Sequence, residues 1–409
     1  MHSGKIYITK CIFSGGCYFM KKIRRISTLF LALILLFGAF IIPTYASETN
    51  SSPPSLSSQS ALLMESENGS IAYEKNAHIR LPMASTTKIM TALVALDLAA
   101  PDTVIRVDGR AVGIEGSSIY LCEGEELTLE ELLYALMLES ANDAAVAIAI
   151  GLCGSEDAFI DAMNRKATSL GLSNTHFSNP HGLDAEDHYT TAYELALIAR
   201  AALQNALFKT IVSTRKTTIS HQNTDGVRLL INHNKMLRLY DGCIGIKTGY
   251  TQKSGRCLVS AAERDGITMI AVTLNSPDDW NDHTKLLNFG FSNYRKIEIC
   301  PADFHFCLPV VGGKETYVTL GVAQSVSVTL PSGSGVIEQT IECPRMIFAP
   351  IGEGDVCGQM LFFCDTNNDG IKETIADIPL IALYDVPKST ERLSLWQRFW
   401  IWWRGLFTQ

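Results

Sequence analysis

Three short spacings in this chain put hydroxyls and amines where they could act together. Ser85-Thr86-Thr87-Lys88 is S-x-x-K, Ser140-Ala141-Asn142 is S-x-N and Lys247-Thr248-Gly249 is K-T-G. A serine hydroxyl is a weak nucleophile until a neighbouring base takes its proton. Residues i and i+3 share a helix face, so Ser85 and Lys88 can meet. A lysine partly desolvated at a positive helix N-terminus has a lowered pKa and can be that base. Backbone N–H groups at the same end can face an oxyanion. Ser140 is placed to relay a proton to a leaving amine. Asn142 can hold Lys88 and a substrate amide carbonyl. Lys247 and Thr248 offer a cation and a hydroxyl to a terminal carboxylate, and Gly249 lets a substrate strand lie close to a sheet edge.

Each spacing alone is weak, and the chain contains decoys. Ser213-Thr-Arg-Lys216 is a second S-x-x-K, Ser66-Glu-Asn68 a second S-x-N, and Lys253-Ser-Gly255 a relaxed third motif. Order removes two of them. Ser66 precedes either candidate nucleophile, and no S-x-N lies between Ser213 and Lys247. Lys247 is preferred to Lys253 because it follows the strand-like run Cys243–Ile246.

With these motifs in order, the chain resembles the low-molecular-mass penicillin-binding proteins, the serine-type D-alanyl-D-alanine carboxypeptidases. Longer phrases carry the resemblance: Leu81-Pro-Met-Ala-Ser-Thr-Thr-Lys-Ile-Met-Thr-Ala-Leu93, Glu139-Ser-Ala-Asn-Asp-Ala-Ala145, Thr175-His-Phe-Ser-Asn-Pro-His-Gly-Leu183 and Gly245-Ile-Lys-Thr-Gly-Tyr-Thr251. The likeness covers about 61–385. It implies Ser85 as acyl-ester nucleophile, Lys88 as proton acceptor, Ser140 as third catalytic residue and Lys247 as carboxylate ligand. It also implies an oxyanion hole from the backbone N–H groups of Ser85 and Tyr250. The substrate implied is a peptidoglycan stem peptide ending in D-Ala-D-Ala, with β-lactams as covalent inhibitors, no cofactor and no metal. Such an enzyme would serve cell-wall biogenesis and cell shape. The fold implied is a transpeptidase/β-lactamase-like α/β (α+β) domain, with an antiparallel sheet between helices, then a small β-sandwich.

The elements that must position these residues are partly legible. Leu62–Met64 and Ser70–Tyr73 form a hairpin turning at Asn68-Gly69. Ile89–Ala99 and Asp143–Ile150 are apolar enough for buried helices. Thr128–Leu138 is helical, with Thr128 and Glu131 as a capping box, and Ala192–Ala201 continues the pattern. Ile244–Thr248, Cys257–Ala261 and Met269–Leu274 read as strands, so 61–300 is an α/β or α+β domain. Period-two runs at Tyr317–Val322 and Val326–Leu330, with short runs near 337–341, 360–363 and 379–383, make 301–388 a small all-β domain.

Composition narrows the function. Hydrophobic residues make up 47% of the 409, which excludes disorder across the whole chain. A net charge of -8, from 34 Lys+Arg against 42 Asp+Glu, argues against sequence-independent nucleic-acid binding. The basic patch Met20–Ile26, the apolar run Ser27–Ile42 and Pro43–Ala46 read as a signal peptide over 1–46, with Met20 as an alternative start. Residues 47–60 are a Ser/Pro-rich linker. Four of the five Trp lie beyond 395, and Trp396, Phe399, Trp400, Trp403 and Phe407 share one helix face. As a helix, residues 393–407 would be about 22 Å long, too short to span a bilayer core of about 30 Å. Residues 391–409 therefore form an amphipathic helix lying on the outer face of the cytoplasmic membrane, which makes the protein extracytoplasmic and membrane-anchored.

Other features take plainer readings. Nine cysteines follow position 46, too few for a disulfide scaffold; small buried residues with one or two bridges are expected. His176, His181 and His188 read as loop structure rather than a metal site. Asp365–Gly370 begins like a calcium loop, but its twelfth position is Ala376, so a polar hairpin turn is expected.

Rival functions stay open at this point. A class A β-lactamase would carry S-D-N where this chain has Ser140-Ala-Asn142, and a deacylating glutamate that no E-x-x-L-N phrase between 150 and 247 supplies. An endopeptidase or transpeptidase acting on cross-links would use the same residues. A non-catalytic β-lactam- or wall-binding module would need none of them.

Overall fold

The computed structural model describes residues 52–221, 226–389 and 394–407. The expected signal peptide, the Met20 start and the first part of the linker lie outside the described residues. The described chain forms two compact units, one ending at Lys296 and one beginning at Ile297.

The first unit is built on five strands. β1 (Ser60–Glu65) and β2 (Ile71–Lys75) form the expected hairpin; β3 (Val104–Arg106) pairs with β4 (Glu126–Thr128) and β5 (Lys216–His221) with β6 (Gly226–Ile231) outside the main sheet; and β7 (Cys243–Thr251), β8 (Gly255–Arg264) and β9 (Ile267–Leu274) complete an antiparallel sheet in the order β2-β1-β9-β8-β7. Side chains alternate across a strand, so each central strand feeds two cores. Leu62, Met64, Val259, Ile270 and Val272 enter one; Ala61, Leu63, Leu258, Met269 and Ala271 enter the other. The first core is covered by helices α1 (Lys88–Leu98), α2 (Leu129–Tyr134), α3 (Asn142–Cys153), α4 (Glu156–Ser169), α5 (Ala192–Leu203) and α6 (Ala206–Ser213). The opposite core is covered by a helix over Asp279–Asn293. This is the sheet between helices that the resemblance implied. Residues Asn142–Ile150 of α3 are all buried, as a helix apolar on every side must be.

Two expectations need correction. Thr128 does cap with Glu131 in a reciprocal capping box, but the α-helix ends at Tyr134 and continues as a π turn over Ala135–Glu139. Five residues per hydrogen-bonded ring there rotate the chain so that Ser140 emerges left-handed, at φ 61°. No disulfide forms among the described residues: all nine cysteines after position 46 are free thiols. They are scattered over separate strands, helices and loops, so no compact scaffold brings them into pairs.

The second unit is a β domain around its own core of Leu308, Val318, Leu320, Met360, Phe362 and Leu380. β10 (Tyr294–Cys300) runs in from the first unit and pairs with β13 (Val326–Pro331). The remaining six strands are β11 (His305–Val311), β12 (Tyr317–Gly321), β14 (Glu338–Glu342), β15 (Ile347–Phe348), β16 (Val356–Cys364) and β17 (Glu373–Ala382), in the order β14-β16-β17-β12-β11-β15. Sequence reading missed β10 and β11, whose charged positions and Pro309 hide the period-two signal, and β15, which is only two residues long. Asp365–Gly370 is the turn between β16 and β17, where the Asp365 carboxylate accepts the N–H groups of Asp369 and Gly370. Leu395–Phe407 is helical, and Trp396, Phe399, Trp400, Trp402 and Trp403 are all exposed.

His283 is wholly buried between Ser260 and Thr273, whose hydroxyl lies 2.9 Å from Nε2. Burial pushes its pKa down to about 3. Unfolded histidine titrates near ~6.5, so below that pH the unfolded chain binds a proton that the folded chain refuses. Stability must therefore fall as pH drops. Going from pH 7 to pH 5 should remove about 2 kcal/mol through this residue. Chemical denaturation at the two pH values should show that loss in the parent protein. A His283→Gln variant should be weaker at pH 7 but should lack this part of the acid loss.

Candidate active site

Ser85 does not open α1 but lies in a separate 3-10 turn, Ala84–Thr87, ahead of it. The Thr86 and Thr87 hydroxyls donate back to the carbonyls of Met83 (2.6 Å) and Ala84 (2.8 Å), which favours a tight turn over a continuous helix. Ala84 carries a positive φ of 46°, a strained conformation for a residue with a side chain. The turn presents the Ser85 N–H without a hydrogen-bond partner among the described residues.

Lys88 is fully buried and its amine reaches three partners. These are Ser85 Oγ at 3.0 Å, Asn142 Oδ1 at 2.7 Å and the His181 carbonyl at 2.5 Å. Burial pushes its pKa well below the ordinary lysine value; the charge of Lys247 pushes the same way and Asp143 opposes. A neutral amine 3.0 Å from a serine hydroxyl is a general base in place.

The S-x-N segment arrives from the π turn. Ser140 sits left-handed and almost wholly buried, and Asn142 starts α3. Asn142 bonds Lys88 as expected, but it also donates from Nδ2 to the Glu115 carbonyl (2.6 Å) and from its backbone to Ser117 O (2.7 Å). One amide hydrogen is thus already committed and one is left for substrate. Sequence reading missed what fixes this loop. The Asp143 carboxylate accepts from Ser118 Oγ (2.6 Å) and from the N–H groups of Ile119 (3.3 Å) and Leu121 (3.0 Å). An acidic residue following S-x-N was the available signal.

Lys247 and Thr248 stand on β7, the sheet's edge strand, so one row of its backbone groups has no strand partner. Lys247 is buried, with its amine 3.1 Å from Thr248 O, and burial lowers its pKa to about 7 while Glu139 opposes. The reason for Gly249 differs from the expected one. A Cβ there would lie 3.0 Å from Ser85 N and 3.1 Å from Ala84 Cβ, so glycine lets the strand close on the nucleophile turn itself. Tyr250 follows with its ring exposed.

The histidine-bearing loop closes the other side. A Cβ on Gly182 would fall 2.0 Å from Ala84 O, so this loop presses directly on the strained turn. His188 accepts from the Ser178 N–H (3.0 Å), which leaves its Nε2–H to donate to Thr87 Oγ1 (2.7 Å). His176 Nδ1 meets Asp187 O, and His181 Nδ1 accepts from Leu183 N–H. The three histidines are held by loop groups. Burial holds His181 and His188 neutral, at about 4 and about 3. The decoys fall elsewhere: Ser213 ends α6 while Lys216 begins β5 (Lys216–His221), and Lys253 lies in an exposed turn.

A family model described as D-alanyl-D-alanine carboxypeptidase matches residues 47–278. The chain belongs to the D-alanyl-D-alanine carboxypeptidase family. It is a serine peptidase, and a second model, for the C-terminal domain of penicillin-binding protein 5, matches 295–388. The chain is 32% identical over 379 residues to D-alanyl-D-alanine carboxypeptidase DacF of Bacillus subtilis (strain 168), covering 90% of this chain and 95% of that one. It is 37% identical over 258 residues to a D-alanyl-D-alanine carboxypeptidase of Streptomyces sp. (strain K15), covering 58% and 89%. Among solved structures, penicillin-binding protein 5 of Haemophilus influenzae superposes with a TM-score of 0.64 at 26% identity, over 83% of this chain and 100% of that one. The Streptomyces K15 DD-transpeptidase superposes at 0.56 with 34% identity, over 59% and 100%.

A carboxypeptidase of this build needs Lys88 neutral and Lys247 charged. Lys247 is a cation below about 7 and loses its charge above it. The value of kcat/KM, which reports the free enzyme, should therefore fall as pH rises through that region. Lys247→Arg keeps its charge and should move the alkaline limb upward by more than one pH unit, measured as penicillin acylation rate against pH.

Proposed function

We propose that this protein is a serine-type D-Ala-D-Ala carboxypeptidase that removes the terminal D-Ala of peptidoglycan stem peptides through a Ser85 acyl-enzyme. One observation carries the reading: the fully buried Lys88 amine, whose burial disfavours its charge, stands 3.0 Å from Ser85 Oγ in a chain of this family. Lys88 takes the Ser85 proton as Oγ attacks the carbonyl between the two D-Ala residues. The N–H groups of Ser85 and Tyr250 hold the oxyanion. Ser140 passes a proton to the departing D-Ala amine, Asn142 holds the peptide carbonyl, and Lys247 with Thr248 holds the carboxylate. Water then hydrolyses the ester. A β-lactam acylates Ser85 by the same first step and persists, because its ring-opened leaving group stays attached.

Purified protein should release D-alanine from an acyl-Lys-D-Ala-D-Ala peptide. Release should vanish in Ser85→Ala and after penicillin, and Lys88→Ala should lower it at least 10²-fold. Persistent release in Ser85→Ala would sink the nucleophile assignment.

A second acyl acceptor has a specific warrant, since the Streptomyces K15 structure is that of a DD-transpeptidase. An amine in place of water would give transpeptidation, and attack on a cross-link would give endopeptidase action. Product analysis with and without an added amino acceptor separates them. The β-lactamase and binding-module readings would require rapid penicillin turnover and no release, respectively.

The same reading extends to location. A signal peptide over 1–46 would export the chain, and the helix Leu395–Phe407 would hold it at the outer face of the cytoplasmic membrane. Five exposed aromatic rings on that helix support an interfacial position. Deleting 394–409 should move the protein from the membrane to the soluble fraction; complete retention would refute the anchor.

A further inference from the structure

We infer that Glu139 is a positioning residue for Ser140: its carboxylate ties the end of the π turn to the Ile231–His233 segment and so aims the Ser140 hydroxyl at the leaving amine. This rests on the carboxypeptidase reading, in which Ser140 delivers that proton. The proton that Lys88 takes from Ser85 Oγ passes through Ser140 to the nitrogen, as the bond from Oγ to the carbonyl carbon forms and the C–N bond breaks. Such a transfer needs the hydroxyl within hydrogen-bond reach of the nitrogen and pointed at it. The Ser140 hydroxyl has no hydrogen bond of its own among the described residues, so its direction is set by the backbone. That backbone is left-handed, at φ 61°, and a serine stays there only where its neighbours hold it. The N–H groups of Ser140 and Ala141 both donate to the Ala135 carbonyl, the second at 3.3 Å.

Three contacts from a distant segment add to this hold. Glu139 Oε1 accepts the Ile231 N–H at 2.5 Å, Glu139 Oε2 lies 3.1 Å from His233 Nε2, and the His233 N–H donates to the Leu138 carbonyl at 3.4 Å. They fall on the two residues that precede Ser140. A carboxylate bonded to a backbone N–H makes a charge-assisted bond, stronger than one between neutral groups. Ile231 ends β6, and the segment after it is anchored in turn. Asn232 is buried, its N–H donates to Arg215 O at 2.9 Å, and its side-chain amide donates to Val212 O at 3.2 Å and Thr214 O at 3.0 Å. Asn232 Oδ1 also accepts the Asn234 N–H at 2.9 Å. The strap is therefore fixed to the body of the unit, and Glu139 carries that fixity to the residue beside Ser140. Alanine at 139 would remove both side-chain contacts and leave the turn's end held by the Leu138 bond alone. Glu139 also opposes the loss of charge on Lys247, so the test must cancel any effect on that residue.

The experiment compares an acyl-Lys-D-Ala-D-Ala peptide with its thioester analogue, in which D-thiolactate replaces the last residue. Both end in the same carboxylate and use the same nucleophile and base, but a thiolate leaves without a proton and an amine does not. Both are run at about pH 6, where Lys247 is a cation. In Glu139→Ala, kcat/KM should fall by at least about tenfold for the peptide and by less than about threefold for the thioester. Glu139→Gln keeps an acceptor for the Ile231 N–H and should return the peptide value to within about threefold of the parent. His233→Ala removes only the second contact of the carboxylate; it should show the same bias on a smaller scale, and it is read by the same rule where Glu139→Ala does not fold. An equal loss on both substrates is what a merely structural role would give. That result, an undiminished peptide rate, or a glutamine variant as impaired as the alanine one overturns the assignment while leaving the carboxypeptidase reading intact. Failure of the parent enzyme to release D-alanine from the peptide overturns that reading and this assignment with it.

Discussion

A lysine amine with no access to water organises the catalytic unit. Leaving Lys88 charged in that interior would be unfavourable by several kcal/mol, so the amine is held neutral and given three polar partners instead. Those partners come from three parts of the chain: the turn at Ser85, the start of α3 at Asn142 and the loop carbonyl of His181. None can move far without leaving an unmatched polar group at the centre. The same burial that desolvates the amine pushes its pKa well down and so favours its basic, uncharged form, which makes packing and proton transfer one constraint.

The rest of the site is shaped to let backbone come close. Gly182 and Gly249 both approach the Ala84–Ser85 turn; a methyl group at Gly182 would collide with it, and one at Gly249 would force it to shift. The strain at Ala84 and the left-handed Ser140 persist because neighbours hold them: Thr87 and His188 on one side, the π turn on the other. Because β7 is an edge strand, it can close one wall of the site with its glycine and still leave backbone groups for a substrate strand.

Much of this was legible because it is local. An i, i+3 pair meets wherever the local chain coils into a helical turn, so Ser85 and Lys88 could be paired once their segment was read as helical. The Thr128 and Glu131 capping box and the β1–β2 hairpin are likewise set by residues a few positions apart. The change from α to π winding after Tyr134 was not, because a π turn inserts one residue where tertiary packing demands it. The His181 carbonyl had no sequence signature, since every residue carries one. The helices Glu156–Ser169 and Asp279–Asn293 also escaped notice, because their mixed polar faces weaken the apolar period.

The residue types and their order pointed to the reaction proposed for this protein: a serine, a lysine beside it, a second serine and a cation suited to a carboxylate. They also determined which of two S-x-x-K spacings could serve, because only one precedes an S-x-N. Tertiary structure alone decided that Lys88 would be dry and its charge disfavoured, since burial is a property of everything packed around a group. It decided too that Gly249 serves the approach of β7 to the nucleophile, and that Asp184 meets Thr251 across 67 positions of chain. Contacts between distant segments depend on how the sheet and loops close, and no local pattern encodes that closure.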